Sequence, residues 1–138
     1  QYQALENLGI VNGKVALPVP RQKGKYLVLK RSKETSSSGL WSFPGGKKKE
    51  NEIIQETAIR ELSEETDSKG EIIEEGDSYI NKGELGYWYI KPFLVDVSGD
   101  LNLNHEHSDY RWIRPEELEG LETLGTDTAL ENLTEVVR

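Results

Sequence analysis

The clearest hydrophobic pattern in the chain lies between positions 52 and 66, a stretch without Pro or Gly and rich in Glu, Gln, Ala, Ile and Leu. This composition favours an α-helix. At about 100° per residue, Ile54, Ala58 and Leu62 form one apolar stripe. We expect that stripe to pack on a β-sheet.

Three glutamates stand close to the apolar stripe of this predicted helix. Glu61 and Glu65 fall at nearly the same angles as the stripe, whereas Glu64 lies to one side of it. Burying an unpaired carboxylate is costly, so glutamates at such positions indicate a bound cation or a hydrogen-bonded partner. The competing interpretation is a solvated acidic helix held by surface salt bridges.

Five segments show the apolar or alternating pattern of β-strands and flank the helix on both sides. They cover positions 15–19, 25–31, 71–75, 87–97 and 109–113. Pro18 favours an edge position for the first of these strands, and Pro92 predicts a bulge or an edge in the fourth. Positions 1–12 are compatible with either a loose arm or an initial strand.

Two short helical segments are predicted near the C-terminus. Pro115 suits the first position of a helical turn that continues to Leu118. A last helix is predicted over positions 128–137, where Thr128 and Glu131 have the spacing of a capping box. Strands before and after a central helix, followed by a terminal helix, predict an α/β fold with helices packed on a mixed sheet.

Composition and charge exclude several classes of protein. The 138 residues suit one domain over positions 1–138, and the absence of Cys excludes disulfides, thiolate nucleophiles and Cys-ligated zinc. No apolar run approaches a membrane span, so we expect a cytoplasmic protein without membrane partners. A net charge of −8 argues against a nucleic-acid polymer as partner. A nucleotide could still bind through bridging cations or through the lysine run at positions 47–49, whose last two members also fit a solubilising loop.

The predicted helix belongs to a longer motif with fixed spacing. Gly46 is followed after five residues by Glu52, and seven residues later by Arg-Glu-Leu-Ser-Glu-Glu at positions 60–65. Upstream, positions 39–46 read Gly-Leu-Trp-Ser-Phe-Pro-Gly-Gly, a short strand that Pro44 stops before a sharp turn. This motif resembles the signature of the Nudix hydrolases, and the short chain resembles their MutT-like branch. The resemblance implies an α/β/α sandwich around a mixed sheet, with the motif as a catalytic loop-helix-loop.

The carboxylates of the motif suit a hard divalent cation. Spacings of three and four residues bring Glu61, Glu64 and Glu65 within reach of one site. Mg²⁺ takes such oxygen ligands together with substrate phosphates, and we expect Mn²⁺ to substitute for it. A carbonyl of Gly45 or Gly46 can add a ligand without steric obstruction. The number of ions, two or three, stays open.

The charged neighbours of these glutamates have predicted supporting roles. Arg60 precedes Glu64 by four residues and could orient it by a charge-assisted bond. Glu52 lies eight residues, or about two turns, before Arg60 and could reach the same side of the helix. We expect Arg31 and Lys47 to touch phosphate, and we count Glu52 with them among the substrate-binding residues.

A separate loop supplies a further candidate for the metal site. In the proteins that the chain resembles, a glutamate six residues before a Trp approaches the metals. Glu106, six residues before Trp112, is therefore a candidate ligand or general base, with an exposed loop carboxylate as the alternative. Either Glu61 or Glu106 would accept the proton of the attacking water.

Residues that would recognise the base of a nucleotide are less well defined. Asp127 lies where the MutT-like branch can place a base-reading residue, but it also suits the entry of the last helix. The aromatic residues at positions 87–89 could stack on a base, although alternating aromatics in a strand more often belong to the core.

One position departs from the pattern of the resembled family. Asp67 stands where the family usually has the Gly that ends the helix in a left-handed conformation, which Asp adopts at a cost of roughly 1 kcal/mol. Gly70 could take over part of that turn.

His105 and His107 would form a zinc site only with carboxylates, since the chain has no Cys and no third His.

The resemblance implies hydrolysis of the pyrophosphate linkage in a nucleoside diphosphate linked to another group, with metal activation of water. For the MutT-like branch, the expected substrate is a nucleoside triphosphate, cleaved to the monophosphate and pyrophosphate. ADP-ribose and diadenosine polyphosphates are alternative substrates. A non-catalytic nucleotide-binding domain on the same fold is the alternative from another class. We expect a monomer or a homodimer.

Overall fold

The computed structural model describes residues 2–35, 37–83 and 86–133, which form one mixed eight-stranded sheet with helices packed on it. The elements in chain order are α1 (Tyr2–Asn7), β1 (Lys14–Gln22), β2 (Lys25–Arg31), β3 (Trp41–Ser42), β4 (Gly46–Lys47), α2 (Ile54–Thr66), β5 (Lys69–Glu75), β6 (Tyr79–Gly83), β7 (Gly86–Ser98), β8 (His107–Ile113), a 3₁₀-helix (Pro115–Gly120) and α3 (Thr126–Glu131). This architecture confirms the predicted α/β fold. No helix in these described ranges is long and apolar enough to cross a membrane.

β1 is a central strand, so the edge position predicted from Pro18 is wrong. β1 pairs in parallel with β7 along most of its length, and its other side pairs with β4 at one end and β2 at the other. In the described chain, no strand pairs with positions 17–20 on that second side. The Lys14 carbonyl faces β4 and accepts a bond from the Lys48 amide. Pro18 and Pro20 follow Lys14 by even numbers of residues, so their nitrogens face the same side, where no hydrogen bond is required.

Pro92 lies inside β7 at a change of partner. β6 pairs with β7 up to Ile90, and β5 pairs with it from Phe93 onward. The Pro92 carbonyl accepts a bond from the Gly76 amide in the connection between those two strands. Pro92 therefore lies in the gap between the segments of β7 that pair with β6 and with β5, and not at the predicted bulge or edge.

Both ends of the chain differ from the sequence-based expectation. Positions 2–7 form the helix α1 instead of a loose arm or a strand. The last helix begins at Thr126, two residues before the predicted cap at Thr128, and Gly125 precedes it in a left-handed conformation with a φ of 72°. The end of the predicted helix, positions 134–137, lies outside the described residues.

The apolar stripe of α2 packs on the sheet as predicted. Ala58 and Leu62 are fully buried and contact Phe93 and Val95 of β7. Asp67 ends the helix in the left-handed conformation, with a φ of 56°, and its amide donates to the Ser63 carbonyl at 2.8 Å. Glu61 and Glu65 of this helix lie beside the turn between β3 and β4.

Candidate active site

Glu65 occupies a buried position at the centre of the predicted site. The residue is 2% exposed, and its Oε2 accepts a hydrogen bond from the Gly45 amide at 2.9 Å. Burial and the negative charges of Glu61 and Glu106 raise the pKa of Glu65 to about 9, although the Gly45 bond acts in the opposite direction. A carboxylate in such surroundings binds either a proton or a cation.

Glu61 lies directly over the glycine turn. A Cβ placed on Gly46 would collide with the Glu61 carboxylate, so only a glycine leaves room for this arrangement. Burial raises the pKa of Glu61, while the hydrogen bond and positive charge of Arg60 lower it. Glu61 and Glu65 therefore form an interacting pair of carboxylates beside a backbone without side chains.

Arg60 connects the acidic residues to one another. Its Nη1 lies 2.7 Å from Glu61 Oε1 and 3.0 Å from Glu64 Oε2, while its Nη2 lies 2.7 Å from Glu52 Oε1. Nη2 also donates to the Lys47 carbonyl at 3.1 Å. The expected contacts of Arg60 with Glu64 and Glu52 are both present, so this guanidinium fixes the helix against β4.

Glu52 is a positioning residue in this structure. Besides Arg60, its Oε1 accepts bonds from the Lys49 amide and the Thr57 hydroxyl, each at 2.9 Å. The Arg60 bond is the largest of the effects that lower the pKa of Glu52 to about 2. These contacts occupy the carboxylate with protein donors, and its assignment to substrate binding stays a prediction.

Replacing Glu52 by Gln should lower the melting temperature at pH 7, because the variant loses a charged partner of Arg60. Hydrogen bonds to charged groups contribute about 1.5–3 kcal/mol. The pKa of Glu52 is depressed in the fold, so its stabilisation is complete above its ordinary value of 4.5 and is lost as the pH falls toward about 2. The difference between the two proteins should therefore shrink below pH 4.5, as thermal unfolding followed by circular dichroism would show. The matched control is Glu50→Gln at an exposed position. Equal melting temperatures of wild type and E52Q at pH 7 would contradict this assignment.

The loop before β8 brings Glu106 near the end of α2. The Asn102 amide donates to the Thr66 carbonyl at 2.9 Å, and the Asn104 amide donates to the Glu65 carbonyl at 3.2 Å. The charge of Glu106 contributes to the raised pKa of Glu65, which places the two carboxylates within electrostatic reach. Its role as ligand or general base stays a prediction.

His107 is a buried neighbour of this pair that sequence reasoning did not connect with Glu65. Its Nε2 lies 3.6 Å from Glu65 Oε1, which is too long for a hydrogen bond. Burial, with the positive charge of Arg31, lowers the pKa of His107 to about 4. Both shifts favour the neutral form of the side chain, so we do not expect an ion pair at this contact in the metal-free protein. The pairing of β8 with β2 and the bonds of the preceding loop to α2 bring them together, so no local pattern could have revealed this contact.

The glutamates do not form a ready metal cage in this arrangement. Among the described residues, no group of three or more His, Cys, Asp or Glu side chains converges closely enough to hold a metal ion. Glu64 is the outlying member, since its side chain is 51% exposed and bonds to Arg60. The chemistry of Glu61, Glu65 and the Gly45–Gly46 backbone nevertheless fits a hard cation, because a buried carboxylate pair with raised pKa values needs positive charge. The full ligand set stays a prediction.

The remaining predicted site residues are distributed around this centre. Arg31 ends β2 opposite His107, next to the loop that carries Glu106. Lys47 follows Gly46 on β4, and its Nζ lies 4.7 Å from the centre of the Trp88 ring. Asp127 lines a groove between α3 and the 3₁₀-helix, and its role in base recognition stays a prediction.

Comparisons with known proteins agree with this geometry. Residues 13–133 match the family model described as the NUDIX domain, so the chain belongs to the Nudix family. It is a MutT-like Nudix hydrolase that acts on nucleotides containing a pyrophosphate linkage. Enzymes of this family generally require divalent metal ions.

Three similar proteins illustrate the relationship. The CTP pyrophosphohydrolase of Escherichia coli strain K12 is 30% identical over 104 residues, which cover 75% of this chain and 76% of that protein. The nucleoside triphosphatase NudI of Escherichia coli O81 strain ED1a is 26% identical over 117 residues, covering 75% and 83%. The crystal structure of a MutT protein from Methanosarcina mazei Go1 superposes with a TM-score of 0.74 at 28% identity, covering 83% of this chain and 86% of that one.

Proposed function

We propose that this enzyme hydrolyses a nucleoside triphosphate to the nucleoside monophosphate and pyrophosphate, with Mg²⁺ as its metal and Mn²⁺ as a substitute. The observation that carries this proposal is the buried pair of Glu65 and Glu61 beside the Gly45–Gly46 turn. The names of two relatives, a CTP pyrophosphohydrolase and a nucleoside triphosphatase, support the choice of substrate class.

Each residue of the site has a separate role in the proposed reaction. A bound divalent cation would supply neutralisation of phosphate charge and a lower pKa for the attacking water. Arg60 holds Glu61 and Glu64 in place. The carboxylate of Glu61 or Glu106 accepts a proton from the water, whose oxygen attacks phosphorus in line with the P–O bond that breaks. Pyrophosphate leaves, and the new P–O bond completes the monophosphate.

A panel of substrates tests the proposal directly. It contains the ribonucleoside and deoxyribonucleoside triphosphates, ADP-ribose and diadenosine tetraphosphate, each with Mg²⁺, with Mn²⁺ or with chelator. We expect monophosphate and pyrophosphate from one or more triphosphates and no turnover with chelator. If ADP-ribose or diadenosine tetraphosphate is cleaved faster than every triphosphate, the proposed substrate class is wrong. Absence of product throughout the panel, despite nucleotide binding, would favour a binding domain and overturn the proposal.

Replacing Glu64 by Gln tests whether this exposed carboxylate takes part in metal binding. Exposed ion pairs contribute about 0–1 kcal/mol, so loss of the 3.0 Å contact with Arg60 should leave the melting temperature nearly unchanged. If Glu64 turns toward the cation when metal binds, the turnover rate should fall by about a hundredfold, the range found when one electrostatic group of an active site is removed. The dissociation constant for Mn²⁺, measured by electron paramagnetic resonance, should rise in parallel. A turnover rate within about threefold of wild type, which is below 1 kcal/mol, would show that Glu64 is only a partner of Arg60.

A further inference from the structure

A polar pocket of about 570 Å³ lies on the other face of β4 from Glu61. Successive side chains of a strand point to opposite faces. At Gly46, the missing side chain faces the Glu61 carboxylate, whereas Lys47 extends to the opposite face and reaches Trp88. The Glu61 carboxylate therefore lies on one face of β4 and the pocket on the other. Gly46 faces the carboxylate, and the next residue, Lys47, faces the pocket.

The pocket is positively charged although the chain is acidic. Four lysines and two glutamates contribute to its lining, against a net charge of −8 for the whole protein. These are Lys14, Lys47, Lys48, Lys49, Glu6 and Glu50. A local excess of positive charge attracts an anion to this side of the glycine turn.

The indole ring of Trp88, which lines the pocket, lies close to two glycines. A Cβ on Gly13 would lie 3.1 Å from Trp88 Cζ3, and a Cβ on Gly83 would lie 3.5 Å from Cδ1. A Cβ on Gly86 would lie 2.5 Å from the Asn12 side-chain amide, which also lines the pocket. A side chain at Gly13 would therefore press on the half-buried ring, whereas the distance at Gly83 is an ordinary contact and a side chain at Gly86 would displace Asn12.

The Lys47 ammonium holds a place on the Trp88 ring that a nucleobase could take. Stacking of a base on an aromatic side chain contributes more free energy than a cation on an exposed aromatic face. A lysine that leaves the ring for a phosphate also gains a charge-assisted hydrogen bond. The exchange is therefore favourable for a ligand that carries both a planar base and phosphates.

We propose that this pocket binds the nucleoside part of the substrate, with the base stacked on Trp88 and Lys47 moved onto the phosphate chain. The inference rests on the proposed function, since the phosphate chain then crosses the Gly45–Gly46 turn to Glu61 and Glu65. Trp88 is thereby a specificity-determining residue that selects nucleotides over phosphate esters without an aromatic base.

Kinetics of three variants test the role of Trp88. Because the stacked base loses its aromatic partner, Trp88→Ala should raise the KM for a nucleoside triphosphate by about tenfold or more while kcat changes less than about threefold. Trp88→Phe should restore most of the loss. The matched control is Tyr87→Ala, because Tyr87 is the adjacent exposed aromatic of β7 on the opposite face, and its KM should stay within about twofold of wild type. An unchanged KM in Trp88→Ala would overturn the inference.

Nuclear magnetic resonance separates failure of this inference from failure of the proposed function. The indole N–H signal of Trp88, assigned with Trp88→Phe, is followed in wild-type protein during titration with a non-hydrolysable nucleoside triphosphate analogue and, separately, with inorganic triphosphate. The analogue should shift the Trp88 indole much more strongly than inorganic triphosphate, which can draw Lys47 from the ring but cannot stack on it. Equal shifts, or no shift with the analogue, would overturn the inference even if triphosphates are hydrolysed. A base-dependent shift without any product in the substrate panel would sustain the pocket and refute the triphosphatase activity.

Discussion

Replacing Glu65 by Gln should lower the turnover rate at saturating Mg²⁺ by roughly a thousandfold, which corresponds to about 4 kcal/mol of transition-state stabilisation. Gln keeps the shape of Glu and an oxygen that can accept the 2.9 Å bond from the Gly45 amide. Unlike Glu, it cannot lose a proton and so cannot offer a negative charge to a cation beside Glu61 and Glu106. Steady-state hydrolysis over a Mg²⁺ titration would measure the effect.

The same substitution should leave the metal-free protein as stable as wild type. Burial and neighbouring carboxylates raise the pKa of Glu65 to about 9, so the wild-type side chain already carries a proton at pH 7 and resembles a neutral Gln. Thermal unfolding with chelator should therefore give equal melting temperatures. The exposed Glu71→Gln is the charge-matched control, with normal turnover expected. Wild-type turnover in E65Q would show that this carboxylate does not hold the metal.

Glu65 is both buried and electrostatically unfavourable in the metal-free protein, and this combination itself indicates a functional residue. A helix selected only for stability would place a neutral apolar residue at position 65, because a desolvated carboxylate beside Glu61 costs free energy in the absence of a cation. Strongly shifted pKa values concentrate at sites where ligand binding offsets that cost. Arg60 shows the complementary arrangement, since its bonds to three carboxylates stabilise the metal-free site.

The central helix and its contacts could be predicted because they depend on local spacing. The period of 3.6 residues placed Leu62 in the core and Glu65 beside it, and the four-residue interval brought Arg60 to Glu64. Asp67 adopts the left-handed conformation that the position of the family's glycine implied. Each of these features is determined within about two helical turns of the chain.

The features that sequence reasoning missed depend on distant partners. Pro18 predicts an edge strand, but β1 is central because β4 and β2 pair with its two ends and leave the positions around Pro18 unpaired on that side. His107 meets Glu65 through the pairing of β8 with β2 and the bonds of the preceding loop to α2. The possible stacking role of Trp88 was noted among the aromatics at positions 87–89, but the pocket itself arises where α1, β1 and β4 come together. Nothing in a local pattern specifies such meetings of remote segments.

Replacing Gly46 by Ala should lower the turnover rate by about a hundredfold, the cost that displacement of a catalytic group by roughly 1 Å can produce. The new methyl group would occupy the space of the Glu61 carboxylate. The Glu61 side chain is flexible, so its carboxylate should rotate away from its 2.7 Å contact with Arg60 while the fold survives. Turnover is measured at saturating substrate and metal, and circular dichroism monitors the fold.

Two comparisons identify Glu61 as the route of the Gly46→Ala effect. The matched control is Gly120→Ala, because a Cβ at Gly120 meets no heavy atom within 4 Å, and this variant should keep wild-type turnover. In a double-mutant cycle, Gly46→Ala should change turnover by less than about threefold once Glu61 is already Ala, since interacting sites are non-additive. Equal losses in both backgrounds would mean that the methyl group acts through another group, such as the backbone carbonyls of the turn, and the close fit of Gly46 to Glu61 would not be the reason that the turn requires glycine.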